Sequence, residues 1–245
     1  MSDLSFKNIV DQYNELLTRT AKYDYFVRDA QIQKMTIEEL KSRIAVLKGF
    51  KRQARERNDE EAANAFLHMQ CVLYSRISSL SMWIELKRHK FHRAWDHLID
   101  AQEYLAYAKR ASSKGFGIDD LVAKLVKVEQ GIFPGFPLYN SLGLTFKGGV
   151  CSVCGKKLEE CEHIEEKIYY GVVCRRIRIE SIDVDHTALV AEPKDRRCII
   201  SEVEDDNGEM RDYITWKVLR KKSTADDKGK IIRGVVYNSH DLDLS

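Results

Sequence analysis

The chain has 245 residues, of which 44% are hydrophobic and 32% are charged, and its formal net charge is only +2. A chain of this length and composition can build one large or two modest domains around a real core. The near-neutral charge excludes an assignment to nucleic-acid binding from composition alone.

The first residues, MSDLSFKNIVDQYNELL, are acidic and amphipathic. They lack the basic start, apolar centre and cleavage site of a signal peptide, and no apolar run approaches the ~20 residues that span a bilayer. We therefore expect a cytoplasmic protein with no membrane contact. Thiols stay reduced in that compartment, so the six cysteines indicate metal binding rather than disulfides.

Residues 1–132 have the apolar spacing of helices and predict a helical bundle or a long helical hairpin. The motif TIEE predicts that the second helix begins at a capping box, with Thr36 as the cap and Glu39 reaching back. Asn58 or Asp59 is suited to cap the third helix. The first helix is predicted by one stripe of side chains that recur every three or four residues, namely Phe6, Ile9, Tyr13, Leu16, Thr20 and Tyr23.

The third helical segment, residues 60–112, keeps an apolar face over nearly its whole length. The serines of SSLS, residues 78–81, compete for backbone hydrogen bonds and mark the expected bend. SSKGFG, residues 112–117, is expected to end the segment, and residues 119–130 are predicted to form a last short helix.

The second half of the chain has a different pattern. Residues 133–149 include the proline- and glycine-containing stretch FPGFPLYNSLG and are predicted to be a linker. Residues 150–245 alternate apolar and polar side chains and predict a small antiparallel β domain, in which Asn207-Gly208 is suited to a hairpin turn. The expected fold class is therefore α+β.

Four metal-binding side chains lie within thirteen residues at the start of the predicted β domain: Cys151, Cys154, Cys161 and His163. Thiolates and imidazole are ligands of tetrahedral Zn²⁺, and Gly155 permits a tight turn after the first pair. Cys174 is an alternative fourth ligand if His163 points away. Because four or five strong ligands leave no open position for water, the pattern predicts a structural Zn²⁺ that stabilises the β domain, not a catalytic one.

The segment CSVCGKKLEECEHIEEKIYYGVVC resembles a cysteine-rich module, CSxCG…CxH…YxGxxC, of poorly characterised bacterial and phage-associated proteins. Further along, VDHTALVAEPKDRRC is similar to a strand end of prohead-protease-like β domains, although Asp185-His186-Thr187 stands where that pattern carries Glu-Val-Ser. The resemblance implies a bacterial or phage setting and a role in phage–host conflict, either antiphage defence or phage morphogenesis. It implies no reaction.

Two other polar clusters are weighed as catalytic or metal sites. Asp183, Asp185 and His186 lie in a predicted strand, where alternation separates the histidine from the two carboxylates. A Cys198–His186 dyad is the remaining catalytic arrangement. A helical stripe opposite an apolar face is expected to face solvent or a partner, and it consists of Glu85, His89, His92, Asp96, Asp100 and Glu103.

The amphipathic helices, together with the lack of a recognised catalytic motif, favour a non-enzymatic protein–protein interaction or complex-assembly factor. Its partners are expected to be other proteins or further copies of the chain, bound through the helices. Basic runs such as KGFKRQARER and KRHKFHR leave a nucleic-acid-binding accessory subunit as one alternative. A prohead-protease-like hydrolase is the other.

Overall fold

The computed structural model describes residues 3–25, 27–112, 117–220, 231–237 and 242–244. The α+β class is confirmed, because helices fill the first half of the chain and small antiparallel sheets follow. Five helices are seen in the described residues: α1 (Asp3–Thr20), α2 (Ala30–Glu56), α3 (Glu60–Lys87), α4 (Phe91–Ala111) and α5 (Ile118–Ile132). None of these helices combines the length and apolar character needed to cross a bilayer.

The predicted stripe of α1 is confirmed, since Ile9, Tyr13 and Leu16 are buried. The predicted start of α2 is wrong. The helix begins six residues before Thr36, where the Asp29 carboxylate accepts a hydrogen bond from the Gln31 amide at 2.7 Å. An aspartate satisfies a free amide of the first turn as well as a capping threonine does. Thr36 lies inside the helix and donates to the Ile32 carbonyl.

The third predicted helix is two helices that form an antiparallel hairpin. The chain turns at residues 88–90, where His89 has a φ of +57° and the Lys90 amide donates to the Glu85 carbonyl at 3.0 Å. This bond spans the left-handed residue and ends α3 as a Schellman motif does. The bend expected at residues 78–81 is wrong, because Ser78 and Ser79 are buried within an unbroken α3. The predicted cap of α3 is confirmed at Asp59, whose carboxylate accepts from the Ala62 amide.

The hydrophobic core is centred on α3, which is buried on nearly all sides by α2 and α4. Such a helix is expected to be apolar over most of its circumference rather than along one stripe. The largest fully buried side chains are Trp95, Phe66, Leu40, Leu47, Leu67, Leu73, Leu80, Met82, Leu98, Ile99, Leu105 and Ile118.

The second half contains ten short strands in the described residues, and every strand pair is antiparallel, as predicted. They are β1 (Tyr139–Lys147), β2 (Val150–Cys151), β3 (Ile168–Tyr169), β4 (Val172–Val173), β5 (Arg176–Ile177), β6 (Ser181–Val190), β7 (Ile200–Glu204), β8 (Met210–Asp212), β9 (Val218–Arg220) and β10 (Ile232–Gly234). One sheet has the order β10-β7-β8-β9, and the pairs β1–β6, β2–β5 and β3–β4 are separate. The hairpin predicted at Asn207-Gly208 is confirmed between β7 and β8, with Gly208 at a φ of +74°.

The segment predicted as a linker is structured. Residues 139–147 form β1, which pairs with β6 over its whole length, and Phe133 and Tyr139 are buried in the main core. Val173 and Ile199 from the strand-rich half belong to the same core cluster. The two halves of the chain therefore pack against each other, and their division into separate domains stays a prediction.

Candidate metal centre

The first half of the centre is a tight turn after β2. The Gly155 amide donates to the Cys151 carbonyl at 2.8 Å, and the Cys151 amide donates to the Lys156 carbonyl at 2.8 Å. Gly155 has a φ of +72°, a left-handed backbone conformation that is strained for residues other than glycine. Because the chain reverses so sharply, the Val153 amide lies 3.3 Å from Cys151 Sγ, and an amide that donates to sulfur favours the thiolate.

The second half of the centre follows a short 3-10 turn, Leu158–Glu160. His163 Nδ1 lies 3.6 Å from Cys161 Sγ, and the His163 amide donates to the same sulfur at 3.2 Å. The imidazole packs edge-on against Tyr169, with 4.5 Å between ring centroids. Tyr169 thus restricts the imidazole to an orientation in which Nδ1 is directed toward the cysteines.

The two halves converge. One ligand atom from each of Cys151, Cys154, Cys161 and His163 lies within 4.8 Å of the others, so the four predicted residues could hold a metal ion. Cys151 is buried, whereas Cys154 is exposed and the other two are partly buried. The centre is therefore anchored on the inside by β2 and open to solvent at its rim.

Cys174, the alternative ligand, lies directly behind Cys151. Its side chain is fully buried, and its Sγ is 3.6 Å from Cys151 Sγ. Burial and the hydrogen bond with Cys151 raise the pKa of the Cys174 thiol. Burial also opposes ionisation of Cys151, but hydrogen bonds from the amides of Cys154 and Val153 and from the thiols of Cys161 and Cys174 together outweigh it and lower the pKa of that thiol. The two sulfur atoms are thus in contact, but Cys151 favours the thiolate and Cys174 favours the neutral thiol.

The segment that carries these ligands is held against α3 by backbone contacts. The Gly171 amide donates to Asn64 Oδ1 at 2.7 Å, and the Tyr170 amide donates to Glu60 Oε1 at 3.3 Å. Gly171 has a φ of +70°, and a Cβ at this position would lie 2.6 Å from the Ala63 carbonyl oxygen. Only glycine fits so close an approach without displacing backbone.

The part of the stripe that lies on α4, from His92 to Glu103, is partly covered by the strand-rich half, which corrects the prediction of a face toward solvent or a partner. Glu85 is buried on α3, and His89 is exposed in the turn. Asp100 is only 3% exposed, and Arg197 from the loop before β7 covers it. Arg197 Nε and Nη2 donate to Asp100 Oδ1 at 3.0 and 2.5 Å, and Nη2 also donates to Glu103 Oε2 at 2.7 Å. Asp195 Oδ1 accepts from Arg197 Nη1 at 2.9 Å. We call this group of Arg197, Asp100, Glu103 and Asp195 the arginine cluster.

Other members of the stripe also contact the strand-rich half or lie near it. His92 Nε2 lies 2.7 Å from Asp212 Oδ2, at the end of β8. Burial, and then the charge of Asp100, raise the pKa of Asp96 to about 6. Between His92 and Glu103 the stripe is an internal interface between α4 and the strand-rich half. Sequence reasoning missed Arg197, since a single arginine 94 to 97 positions away carries no local signal of its partners.

The second polar cluster is rearranged by a β-bulge. Gly143 pairs with His186 and Leu144 pairs with Val184, so Asp185 is the extra residue and His186 returns to the face of Asp183. The alternation expected from sequence therefore fails at this point. His186 Nδ1 lies 3.0 Å from Asp185 Oδ2, and both side chains are more than 60% exposed.

The candidate dyad is divided between two environments. Cys198 is buried, with its Sγ 3.6 Å from the Val236 carbonyl oxygen, whereas the ring of His186 lies over Gly143 on exposed strands.

Many side chains of the basic runs are used in contacts within the chain, including Arg88 with Glu85, Lys109 with Asp119 and Arg110 with Glu166. Lys222 of the last run lies outside the described residues.

Comparisons of this chain with protein-family models, with curated proteins and with solved structures found no match. The cysteine-rich segment is therefore interpreted from its own geometry.

Proposed function

We propose that this protein is a non-enzymatic assembly factor, in which a structural Zn²⁺ holds the strand-rich half and an exposed β ribbon binds a second copy of the chain. The observation that carries the proposal is the apolar outer face of the β1–β6 pair. The resemblance of the cysteine-rich segment to a phage-associated module is the ground for placing such an assembly in phage–host conflict.

The donor set supports zinc. Tetrahedral Zn²⁺ with Zn–S bonds of about 2.3 Å places two thiolates about 3.8 Å apart. The separation of 3.6 Å between Cys161 Sγ and His163 Nδ1 is close to this value. Cys174 Sγ, the alternative ligand, lies 3.6 Å from Cys151 Sγ. Four sulfurs and one imidazole can fill every position of such an ion, which supports a structural role. We propose Cys151, Cys154, Cys161 and His163 as the ligands, because their ligand atoms form one mutual cluster.

Of the polar clusters that would serve an enzyme, one has a structural use and the candidate dyad is divided. The α4 stripe binds the strand-rich half, and Cys198 and His186 lie in different environments. A nucleophile, a base and an orienting group need to lie within hydrogen-bonding reach of one another. The contacts of these residues support a non-catalytic protein.

Among the described residues, one face of the β1–β6 pair carries apolar side chains and no charged one, and most of these side chains are exposed. Strand alternation and the register, with Phe146 opposite Ile182 and Leu144 opposite Val184, put six large apolar side chains on one side. None of them belongs to the buried core, and Val184 is 64% exposed. We call this surface the ribbon face, and its members are Leu142, Leu144, Phe146, Ile182, Val184 and Leu189.

A second copy is the occupant that the charge pattern favours. The ribbon face has no ionisable side chain, so two copies can meet about a twofold axis without placing like charges together. The ion pair of Lys147 with Asp183 lies on the opposite face. The helices offer less, since most of their apolar stripes are buried in the core. Their exposed apolar residues form small pairs one turn apart, such as Ile32 with Met35 and Val122 with Val126. The proposed contact is thus the ribbon rather than the helices.

Sedimentation velocity of the zinc-loaded chain tests this assembly. We expect a dimer at micromolar concentration. Val184→Asp should favour the monomer by raising the dimer dissociation constant at least ten-fold. Ser181→Asp is the matched control, because Ser181 is exposed on the opposite face of the same ribbon, across from Lys147, and its replacement should leave the dimer intact. A monomeric parent at about 100 µM, or equal effects of the two variants, would contradict the proposal.

Zinc is tested on the same preparations by elemental analysis. We expect one Zn²⁺ per chain in the parent and a loss of zinc when Cys151 and Cys154 are both replaced by Ser. The double variant should lose strand signal in circular dichroism while the helices remain. A parent without zinc would overturn the structural-zinc part of the proposal and leave the ribbon test unaffected.

A further inference from the structure

Residues 242–244, Leu-Asp-Leu, are bound as a short peptide where α2, α3 and α4 meet. The Leu242 and Leu244 side chains are 8% and 7% exposed and belong to the helical core cluster. The Asp243 amide donates to Tyr104 Oη at 3.0 Å. This three-residue segment therefore contacts the helices through both its side chains and its backbone.

The Asp243 carboxylate is held by two helices. Lys48 Nζ lies 2.9 and 2.8 Å from its two oxygens, and Tyr74 Oη donates to Oδ2 at 2.6 Å. Tyr74 stacks on Tyr104, with 4.9 Å between ring centroids and an interplanar angle of 16°. The stacked pair fixes both hydroxyl groups, one for the carboxylate and one for the backbone amide of the same residue.

A buried cation completes this site. Lys51 is 3% exposed, and its Nζ lies 3.5 Å from the Leu244 carbonyl oxygen. A buried ammonium is costly unless an anion or an acceptor compensates it. Two lysines, two tyrosine hydroxyls and two leucine-sized apolar positions thus surround one acidic residue.

We propose that this junction is a binding site for a short partner peptide that carries an acidic residue between two leucines, and that residues 242–244 occupy it as a built-in competitor. The resident segment shows directly which chemistry the site accepts. A partner peptide of the same chemistry binds when it displaces the resident segment. The proposal does not depend on zinc or on the ribbon face.

The test measures binding of the fluorescent peptide NSHDLDLS, residues 238–245, to the full-length chain by anisotropy. A variant with Leu242, Asp243 and Leu244 all replaced by Ala should bind the peptide, whereas the parent should bind it far more weakly. With an effective concentration near 1 mM for the tethered segment and a dissociation constant near 10 µM, the difference is about a hundred-fold.

Two controls separate this from non-specific binding. The peptide NSHDLKLS should bind the triple variant at least ten-fold more weakly, and Lys48→Glu in the triple variant should have a similar effect. Since the leucines are part of the core, Asp243→Asn in the full chain is a milder second variant, and it should bind NSHDLDLS several-fold more tightly than the parent. Equal binding of both peptides, or no gain in either variant with the fold retained, would overturn the proposal.

Discussion

Arg197 offers the sharpest test of how the strand-rich half is attached to the helices. Its side chain is 4% exposed and lies among the carboxylates of Asp100, Glu103 and Asp195, of which Asp100 is buried while the other two are about one third exposed. Replacement by Met keeps the volume but removes the only cation of the arginine cluster. The Asp100 carboxylate would then stay buried after losing its guanidinium partner, with His97 Nδ1 at 3.7 Å from its Oδ2.

The expected cost follows from this burial. Removing one partner of a buried ion pair costs about 3–5 kcal/mol. Glu103 and Asp195 are partly exposed, so water can hydrate their carboxylates when the arginine is removed, and their contribution to this cost is discounted. For a chain of this size, each kcal/mol lowers the melting temperature by roughly 2–4 °C, so Arg197→Met should lower it by roughly 6–20 °C.

Urea unfolding, monitored by circular dichroism and by tryptophan fluorescence, measures this loss of stability. Trp95 reports on the same region, because its indole N–H donates to the Arg196 carbonyl at 2.8 Å. Arg52→Gln is the matched control, since Arg52 is exposed on α2 and its loss should stay within about 0.5 kcal/mol. Adding Asp100→Asn to Arg197→Met should recover a substantial part of the loss. A cost for Arg197→Met no greater than that of the control would refute the reasoning.

Three further outcomes are expected. Gly171→Ala should destabilise the protein by roughly 2–4 kcal/mol in urea unfolding, since it combines a left-handed backbone with an overlap on the Ala63 carbonyl, whereas Gly131→Ala, which meets no atom within 4 Å, should be neutral or stabilising. Asp96 has a pKa raised to about 6, above its unfolded value of about 3.9, so its ionisation destabilises the folded protein as pH rises from 4 to 6. Asp96→Asn should therefore raise the free energy of unfolding by roughly 1–3 kcal/mol at pH 7, and a gain that does not shrink toward pH 4 would contradict this. His163→Asn should weaken zinc binding at least ten-fold in a chelator competition, whereas Cys174→Ser should change it less, and the reverse order would identify Cys174 as the ligand.

Local patterns predicted the features that depend on neighbouring residues. The stripe of α1, the cap at Asp59 and the hairpin at Asn207-Gly208 each involve interactions within a few positions, so their sequence signals are direct. The metal cluster belongs to the same class, because Cys151, Cys154, Cys161 and His163 span only thirteen residues. A short segment with two tight turns has few ways to keep such ligands apart.

The predictions that failed depend on competition between alternatives. Ser78 and Ser79 are compatible with a bend, but burial of α3 between α2 and α4 keeps the helix continuous through them. The turn occurs instead at His89, where no glycine or proline marks it. Similarly, Asp29 competes with Thr36 as the cap of α2, and the earlier residue is the one used.

The sequence by itself determined the α+β class, the antiparallel strands and the clustering of the four candidate metal ligands, because hydrophobic periodicity and short ligand spacing act locally. Only the tertiary structure decided which face of α4 is covered, that Arg197 neutralises Asp100, and that residues 242–244 bind among α2, α3 and α4. These contacts join residues that are far apart in the chain. A buried charge and an exposed one look alike in sequence, and only the packing that covers them distinguishes the two.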